Sequence, residues 1–330
     1  MTRKELQEAA GIMEEAKFWR ARLLLTAAEL DLFSVLEGKP MGAEQVAEKA
    51  GTHLRATRTF LDALCGQGYL VKKNGCYSNA PHATKYLVRG SPLYVGDILK
   101  HHANLWDRWA KLTEVVRTGK PAVRAGRKRT AEEMSRFING MENMARFFAP
   151  LILPHVNLGN RHSLLDLGGG PGTYSIMLCK NYPELYATVF DLPGVIQMAR
   201  KFIEREGLGG RISTQEGDYL RDPFGTSFDT VLISAIIHSL SLQKNLLLFK
   251  KSYKAMVPGG VIIIRDFFLD EDRTTPSQAS LFAINMLVGT DGGNCYTESE
   301  VTALLQKAGF RRPSFSRVSK DSAILTAYKP

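Results

Sequence analysis

The sequence predicts an α/β protein: a Rossmann-like parallel sheet wrapped by helices, preceded by a mostly helical winged-helix domain. Three observations carry this. After Pro154, short apolar runs alternate with helical patterns, the rhythm of a parallel sheet covered on both faces. A glycine-rich turn, Leu164-Leu-Asp-Leu-Gly-Gly-Gly-Pro-Gly-Thr-Tyr174, joins the first such run to the first helix. Ahead of both lies the order helix, helix, hairpin. Three segments follow: a winged helix over 1–90, a helical connector over 91–155 and the sheet domain over 156–330. A chain of 330 residues is long enough for such a division.

Taken in order, Phe18–Leu36 places apolar residues at helical spacing. Ala43–Ala50 forms a short helix stopped by Gly51, and Thr52 caps a second helix running to about Gly66. Asn74-Gly75, flanked by alternating residues, predicts a type I′ hairpin. Ser91 to Leu151 reads as helix, broken near Gly119-Lys-Pro121. Strands are expected at Ser163–Leu167, Tyr186–Phe190, Arg211–Gln215, Thr230–Ile233 and Val261–Arg265. Helices are expected at Tyr174–Asn181, Val195–Glu206 and Asn245–Val257, with a last one at Thr297–Ala308 stopped by Gly309. Two short strands close the chain near Arg312–Phe315 and Ala323–Ala327.

Composition excludes several classes. The apolar runs Val231–Ile233 and Val261–Ile264 are far too short to cross a bilayer, and Met1-Thr-Arg-Lys-Glu lacks a signal core. The four cysteines, Cys65, Cys76, Cys179 and Cys295, are scattered and form no metal-type pair, which suits reduced thiols in a cytoplasmic protein. His101 and His102 are adjacent, so on a helix they diverge by about 100°, and no metal is expected. The net charge is +10, of which residues 1–160 carry +8. The excess peaks over Lys111–Arg129, where Lys111, Arg117, Lys120, Arg124, Arg127, Lys128 and Arg129 face only Glu114. Such a stretch attracts anions, yet it equally suits a solvated loop. A DNA-binding regulator is disfavoured: the would-be reading helix offers only Arg55 and Arg58, while Leu54, Phe60, Leu61 and Leu64 need burial.

The glycine loop alone is weak, since several nucleotide sites use one. A dinucleotide fingerprint wants Gly or Ala at Thr173, and a phosphate loop wants a Lys-Ser/Thr that is absent. What remains is Asp166-x-Gly168-x-Gly170-x-Gly172. Asp191 ends the second strand, placed to accept from ribose hydroxyls, and Asp218 follows the third, placed to accept from an adenine amino group. Any one of these acids is as readily a turn or cap residue. Together, at successive strand ends, they favour a nucleoside site.

At these residues the chain resembles the small-molecule O-methyltransferase family of plant phenolic and bacterial antibiotic, phenazine and pigment pathways. The likeness covers nearly the whole chain, through Phe137-Ile-Asn-Gly-Met141, Asp166–Gly172, Asp191-Leu-Pro, Gly217-Asp-Tyr and Pro258-Gly-Gly. The resemblance implies S-adenosylmethionine as cofactor, held by Asp166, Gly168, Gly169, Gly170, Asp191, Leu192, Asp218 and Tyr219. It places Ser234 where plant members carry a cofactor-contacting Lys. It implies a homodimer formed by the N-terminal domain, with one subunit helping to wall the partner's acceptor pocket. The family's catalytic histidine corresponds to His238, with Ser239 and Leu240 where Asp and Trp are usual. Asp266 matches its acidic partner, and Cys295 stands where a second acid is usual.

A neutral imidazole can take a phenol's proton as attack begins, and a carboxylate on the other ring nitrogen fixes the tautomer. His238 and Asp266 suit those roles, although a histidine after an apolar strand is often plain core. A small aromatic acceptor calls for an apolar pocket. Family position and proximity suggest Trp106, Phe137, Met141, Phe147, Met286 and Leu287, each of which is equally good as core. Methylation at ring carbon or nitrogen remains the alternative, with His238 orienting the acceptor.

Overall fold

The computed structural model describes residues 2–123 and 130–330. Arg124, Arg127, Lys128 and Arg129 of the basic stretch lie outside the described residues. The chain divides into two compact units, one ending at Leu105 and the other spanning Trp106–Pro330.

The first unit is mostly helical with a small three-stranded sheet. Its first helix, Arg3–Glu15, is opened by a capping box in which Thr2 and Glu5 satisfy each other's backbone amides. The single apolar helix expected over Phe18–Leu36 is two helices, Trp19–Glu29 and Leu32–Val35. The break is at Asp31, whose φ of +53° puts it in the left-handed region, where helical hydrogen bonding cannot continue. Ala43–Ala50 forms as expected and closes at Gly51. Thr52 is not the cap of the next helix. Its amide reaches back to the Ala47 carbonyl in a Schellman closure, and His53 takes the N-cap position of Leu54–Gly66 without a side-chain cap. Strands Leu70–Lys73 and Cys76–Asn79 meet at Asn74-Gly75, both with positive φ, as a type I′ turn demands. A third strand, Met41–Gly42, adds to Cys76–Asn79. Phe33, Val46, Leu61, Leu64 and Tyr77 form the buried centre of this helix–helix–wing unit.

The second unit is built on a seven-stranded sheet. Its strands are β1 (Ser163–Leu167), β2 (Tyr186–Asp191), β3 (Ile212–Glu216), β4 (Phe228–Ser234), β5 (Met256–Asp266), β6 (Arg311–Arg317) and β7 (Ala323–Tyr328). The spatial order is β6-β7-β5-β4-β1-β2-β3. β3, β2, β1, β4 and β5 are parallel; β7 pairs antiparallel with β5, and β6 antiparallel with β7. The expected helix to Val257 stops at Ala255, because Met256 already pairs with Phe228 as the start of β5.

Strand alternation gives the sheet two apolar faces. Leu165, Leu167, Val231, Ile233, Ile262 and Ile264 face one core, and Leu164, Val189, Leu232, Ile263 and Ile324 face the other. The chain runs from β1 to β2 in one direction and from β1's other neighbour, β4, outward in the opposite one. Between them the carboxyl ends of β1 and β4 open a crevice, the usual ligand position in sheets of this kind. Within the sheet unit one helix was not expected at all: Ser277–Gly289. Its sequence, Ser277-Gln-Ala-Ser-Leu-Phe-Ala-Ile-Asn-Met-Leu-Val-Gly289, is apolar nearly all round and so lacks a clear helical period.

Candidate active site

Three loops meet at the carboxyl edge of the sheet. The first leaves β1 as Gly168–Gly172. Gly168 has φ of +67°, and a Cβ there would lie 2.4 Å from the Ile236 side chain. The loop is therefore packed against the turn that follows β4. Gly170 has φ of +56°, and a Cβ there would meet nothing within 4 Å, so the loop presents open space on its outer side.

Asp191, at the end of β2, braces that loop. Its Oδ2 accepts from the Gly170 amide at 2.9 Å and its Oδ1 from the Leu192 amide at 2.7 Å. A carboxylate has about four lone-pair sites, so each oxygen keeps capacity for a further donor such as a hydroxyl. Burial pushes the Asp191 carboxyl above the ordinary range, and the two amides pull the other way. Asp166 lies beneath the loop, fully buried, with Oδ2 accepting from the Ser175 hydroxyl at 2.7 Å and Oδ1 without a partner among the described residues. Its carboxyl is pushed up to about 7, by burial first and then by the charge of Asp191. Asp218 is engaged in its own turn: its Oδ1 accepts from the Leu220 amide at 2.9 Å, and its amide donates to Asp222. Burial also raises the Tyr219 phenol, against a hydrogen bond with Ser239 that lowers it.

The second loop leaves β4. Ser234 ends the strand with a buried hydroxyl that has no partner among the described residues. Ala235 follows with φ of +56°, a rare conformation for a residue with a side chain. It is held there by its amide donating to the Arg265 carbonyl at 2.8 Å. This turn swings the chain into a single 3-10 turn, Ile237–Ser239, and aims His238 at the end of β5. His238 Nδ1 lies 2.7 Å from Asp266 Oδ1. Asp266 is entirely buried, and the same oxygen accepts from the Phe267 amide at 2.8 Å. A carboxylate acceptor there assigns the proton to Nδ1, which leaves Nε2 as the basic nitrogen. The ring stands edge-on to Phe282, with centroids 4.9 Å apart and planes at 86°, and Phe267 completes the aromatic surround.

The third loop, 290–295, locks the histidine from behind. The Asn294 amide donates to the His238 carbonyl at 2.8 Å. A Cβ on Gly293 would lie 2.5 Å from that carbonyl oxygen, so only glycine permits the approach.

Comparison with known proteins matches this architecture. An O-methyltransferase domain model covers residues 109–311, and an O-methyltransferase dimerisation domain model covers residues 15–89. The chain belongs to the O-methyltransferase family. It is 31% identical to the tetracenomycin polyketide synthesis 8-O-methyl transferase of Streptomyces glaucescens, over 95% of this chain and 94% of that one. It is 34% identical to the 3-hydroxy-5-methyl-1-naphthoate 3-O-methyltransferase of Streptomyces sahachiroi, over 88% and 86%. Among solved structures, human N-acetylserotonin methyltransferase in complex with SAM superposes with a TM-score of 0.90 at 27% identity, over 100% and 99% of the two chains.

Within this O-methyltransferase, the suggested pocket residues separate. Met286 is buried one helical turn after Phe282, on the helix that packs against the His238 turn. Leu287, its neighbour, is exposed. Phe137 and Met141 lie half-buried on helix Ala131–Phe148, which packs on the helices that follow β1 and β2. Phe147 is an exposed residue of the same helix, and Trp106 is half-buried on Gly96–Trp109. Trp109, absent from the sequence reading, donates its indole N–H to Asn285 at 3.0 Å. Phe282, Gly293 and Asn294 were also missed, and only the positional restriction at Gly293 leaves any mark on the sequence. Cys295 packs beneath Phe267 and Phe282. Burial, then the nearby Asp266, pushes its thiol up to about 12, so it stays neutral at physiological pH and is no second carboxylate.

Asp166 makes the ligand-free stability pH-dependent. Its folded-state pKa is raised, so its contribution is full below the unfolded value near 4 and is lost as pH rises towards about 7. In urea unfolding, the wild type should lose stability between about pH 4 and pH 7 relative to Asp166→Asn. Parallel curves for the two proteins would show that burial does not perturb this carboxyl.

Proposed function

We propose that this chain methylates a hydroxyl of a small aromatic acceptor, with His238 as general base and Asp266 as its orienting partner. The observation that carries this reading is the 2.7 Å contact between His238 Nδ1 and the buried Asp266 carboxylate at the carboxyl edge of the sheet. As a family member the chain is an S-adenosylmethionine-dependent methyltransferase. S-adenosylmethionine, when bound, supplies an electrophilic methyl group on sulfonium. The glycine loop, Asp191, Asp218, Tyr219 and Ser234 would hold it. The spare acceptor capacity of Asp191 suits ribose hydroxyls, and the unpartnered Ser234 hydroxyl suits a polar ligand atom beside it.

Displacement at the methyl carbon needs the acceptor oxygen in line with the leaving sulfur, so much of the work is alignment. A phenol attacks poorly while protonated. With S-adenosylmethionine bound, His238 Nε2 would accept that proton as the hydroxyl oxygen takes the methyl group that the sulfonium supplies. Asp266 keeps the ring in the Nδ1–H tautomer and stabilises the imidazolium that results. Phe282 and Phe267 fix the imidazole sideways and give an aromatic ring a surface to pack on.

The dimerisation domain match supports a homodimer. Ile12, Met13, Phe18 and Trp19 are exposed apolar residues within or beside it, a concentration that favours a covered face. The acceptors named for the two Streptomyces relatives, a polyketide and a hydroxynaphthoate, support a fused or substituted phenolic acceptor here.

His238→Gln should lower turnover about 10²–10⁴-fold while S-adenosylhomocysteine affinity changes little. Asp266→Asn should cost less, because the base remains but its orientation and charge support are weakened. Near wild-type turnover in the Gln variant would leave the histidine as a pocket wall and favour a ring carbon or nitrogen acceptor. Asp191→Ala should weaken S-adenosylhomocysteine binding by about 1.5–3 kcal/mol per lost ribose hydrogen bond, read by calorimetry. Unchanged affinity would remove Asp191 from the cofactor site. Light scattering of the full chain at micromolar concentration should give a dimer, and a monomer would contradict the pairing.

A further inference from the structure

Arg265 is the penultimate residue of β5 and is 7% exposed. Arginine is rarely buried without a partner, because removing a guanidinium from water is costly unless hydrogen bonds or an anion replace the lost solvation. Among the described residues the Arg265 Nε is occluded and has no hydrogen-bond partner. The guanidinium lies over the Phe267 ring, 5.3 Å from Cζ to centroid. Alternation along β5 turns Arg265 to the face opposite Asp266, so the two do not neutralise each other across the strand. Its cross-strand neighbour on β4 is Ser234, whose hydroxyl is also buried and unpartnered. The Ser234 hydroxyl is assigned above to the cofactor, so the occluded Nε of Arg265 is the buried donor left for a second polar ligand atom.

We propose that Arg265 is the anion-binding residue of the acceptor site, and that the acceptor carries a carboxylate or comparable anionic group beside its reacting hydroxyl. This rests on the methyltransferase reading above and names the acceptor's chemistry more closely. The position favours the acceptor over the cofactor. The guanidinium lies over the Phe267 ring, which is 4.5 Å from Phe282 and 6.1 Å from His238, so the cation borders the aromatic side chains around the histidine. The glycine loop leaves β1, two strands away from β5, a lateral separation of roughly 10 Å. A planar guanidinium also suits a carboxylate, which it can bind through two parallel N–H donors.

The test uses the full-length protein saturated with S-adenosylhomocysteine and two probes that differ only in charge, 3-hydroxy-1-naphthoate and 3-hydroxy-1-naphthamide. Wild type should prefer the carboxylate by on the order of 10- to 100-fold, the range of a charge-assisted hydrogen bond. Arg265→Gln should abolish that preference, Arg265→Lys should keep part of it, and both should bind S-adenosylhomocysteine as wild type does, which also reports that they fold. An equal preference in wild type and Arg265→Gln would overturn the proposal. So would a loss of S-adenosylhomocysteine affinity confined to Arg265→Gln, which would assign the guanidinium to the cofactor's own carboxylate. The readout is binding, so it stands apart from the general-base reading. If His238 were only a pocket wall, His238→Gln would keep turnover, and the carboxylate preference would persist unchanged.

Discussion

The hydrogen bond between His238 and Asp266 is the contact on which the site's arrangement depends. Asp266 has no access to water, and its carboxylate takes two donors on one oxygen, the His238 imidazole and the Phe267 amide. A buried carboxylate short of donors is costly, so the protein holds the imidazole close for structural as well as chemical reasons. Much of the surrounding architecture serves that distance. The left-handed turn at Ala235 bends the chain off β4, the Arg265 carbonyl fixes that turn, and the Asn294 amide ties down the His238 carbonyl. Backbone strain at Ala235 persists because packing and hydrogen bonds over-determine it.

The sheet was legible because its signals are local. The run Ser163–Leu167 ends in glycines that no helix or strand interior would choose, and the acids at 191 and 218 fall just past strand ends. Residue chemistry and periodicity agree there. Errors arose where one residue serves two neighbours. Thr52 carries every mark of an N-cap, yet its amide closes the preceding helix and its hydroxyl pairs with the Thr57 hydroxyl. Asp31 sits inside an apolar run that reads as one helix, and only its backbone conformation shows the break. Ser277–Gly289 escaped because a helix buried on several sides has no polar face to set the period.

Within the site the same division holds. Asp191, His238 and Asp266 stand at positions that topology alone sends to the carboxyl edge. Gly293, Asn294 and Phe282 act through contacts with residues far away in sequence, and apart from the glycine at 293 nothing near them announces it. Asp218 shows the opposite case. It stands where a cofactor acid is expected, and its carboxylate is partly occupied by its own turn, so position and availability are separate properties. Asp191 combines them, bracing the glycine loop while retaining acceptor capacity on both oxygens.

Cys295 and Arg265 together set the electrostatics around the base. With a neutral thiol at 295, Asp266 is, among the described residues, the one carboxylate bonded to His238, and an imidazolium formed under the general-base proposal would draw its compensation from that side. Arg265 acts against it. The ring contacts through Phe267 put the two cations no more than about 11 Å apart, where repulsion at an effective dielectric of 20 is roughly 1.5 kcal/mol. That is a factor of about ten in rate if it is felt in full at the transition state. An acceptor anion seated on the guanidinium, as proposed, would remove this penalty as the hydroxyl reaches Nε2. On the proposed reading the arrangement would favour proton transfer from an anionic acceptor over transfer from its neutral analogue, so discrimination would be exerted in the chemical step as well as in binding.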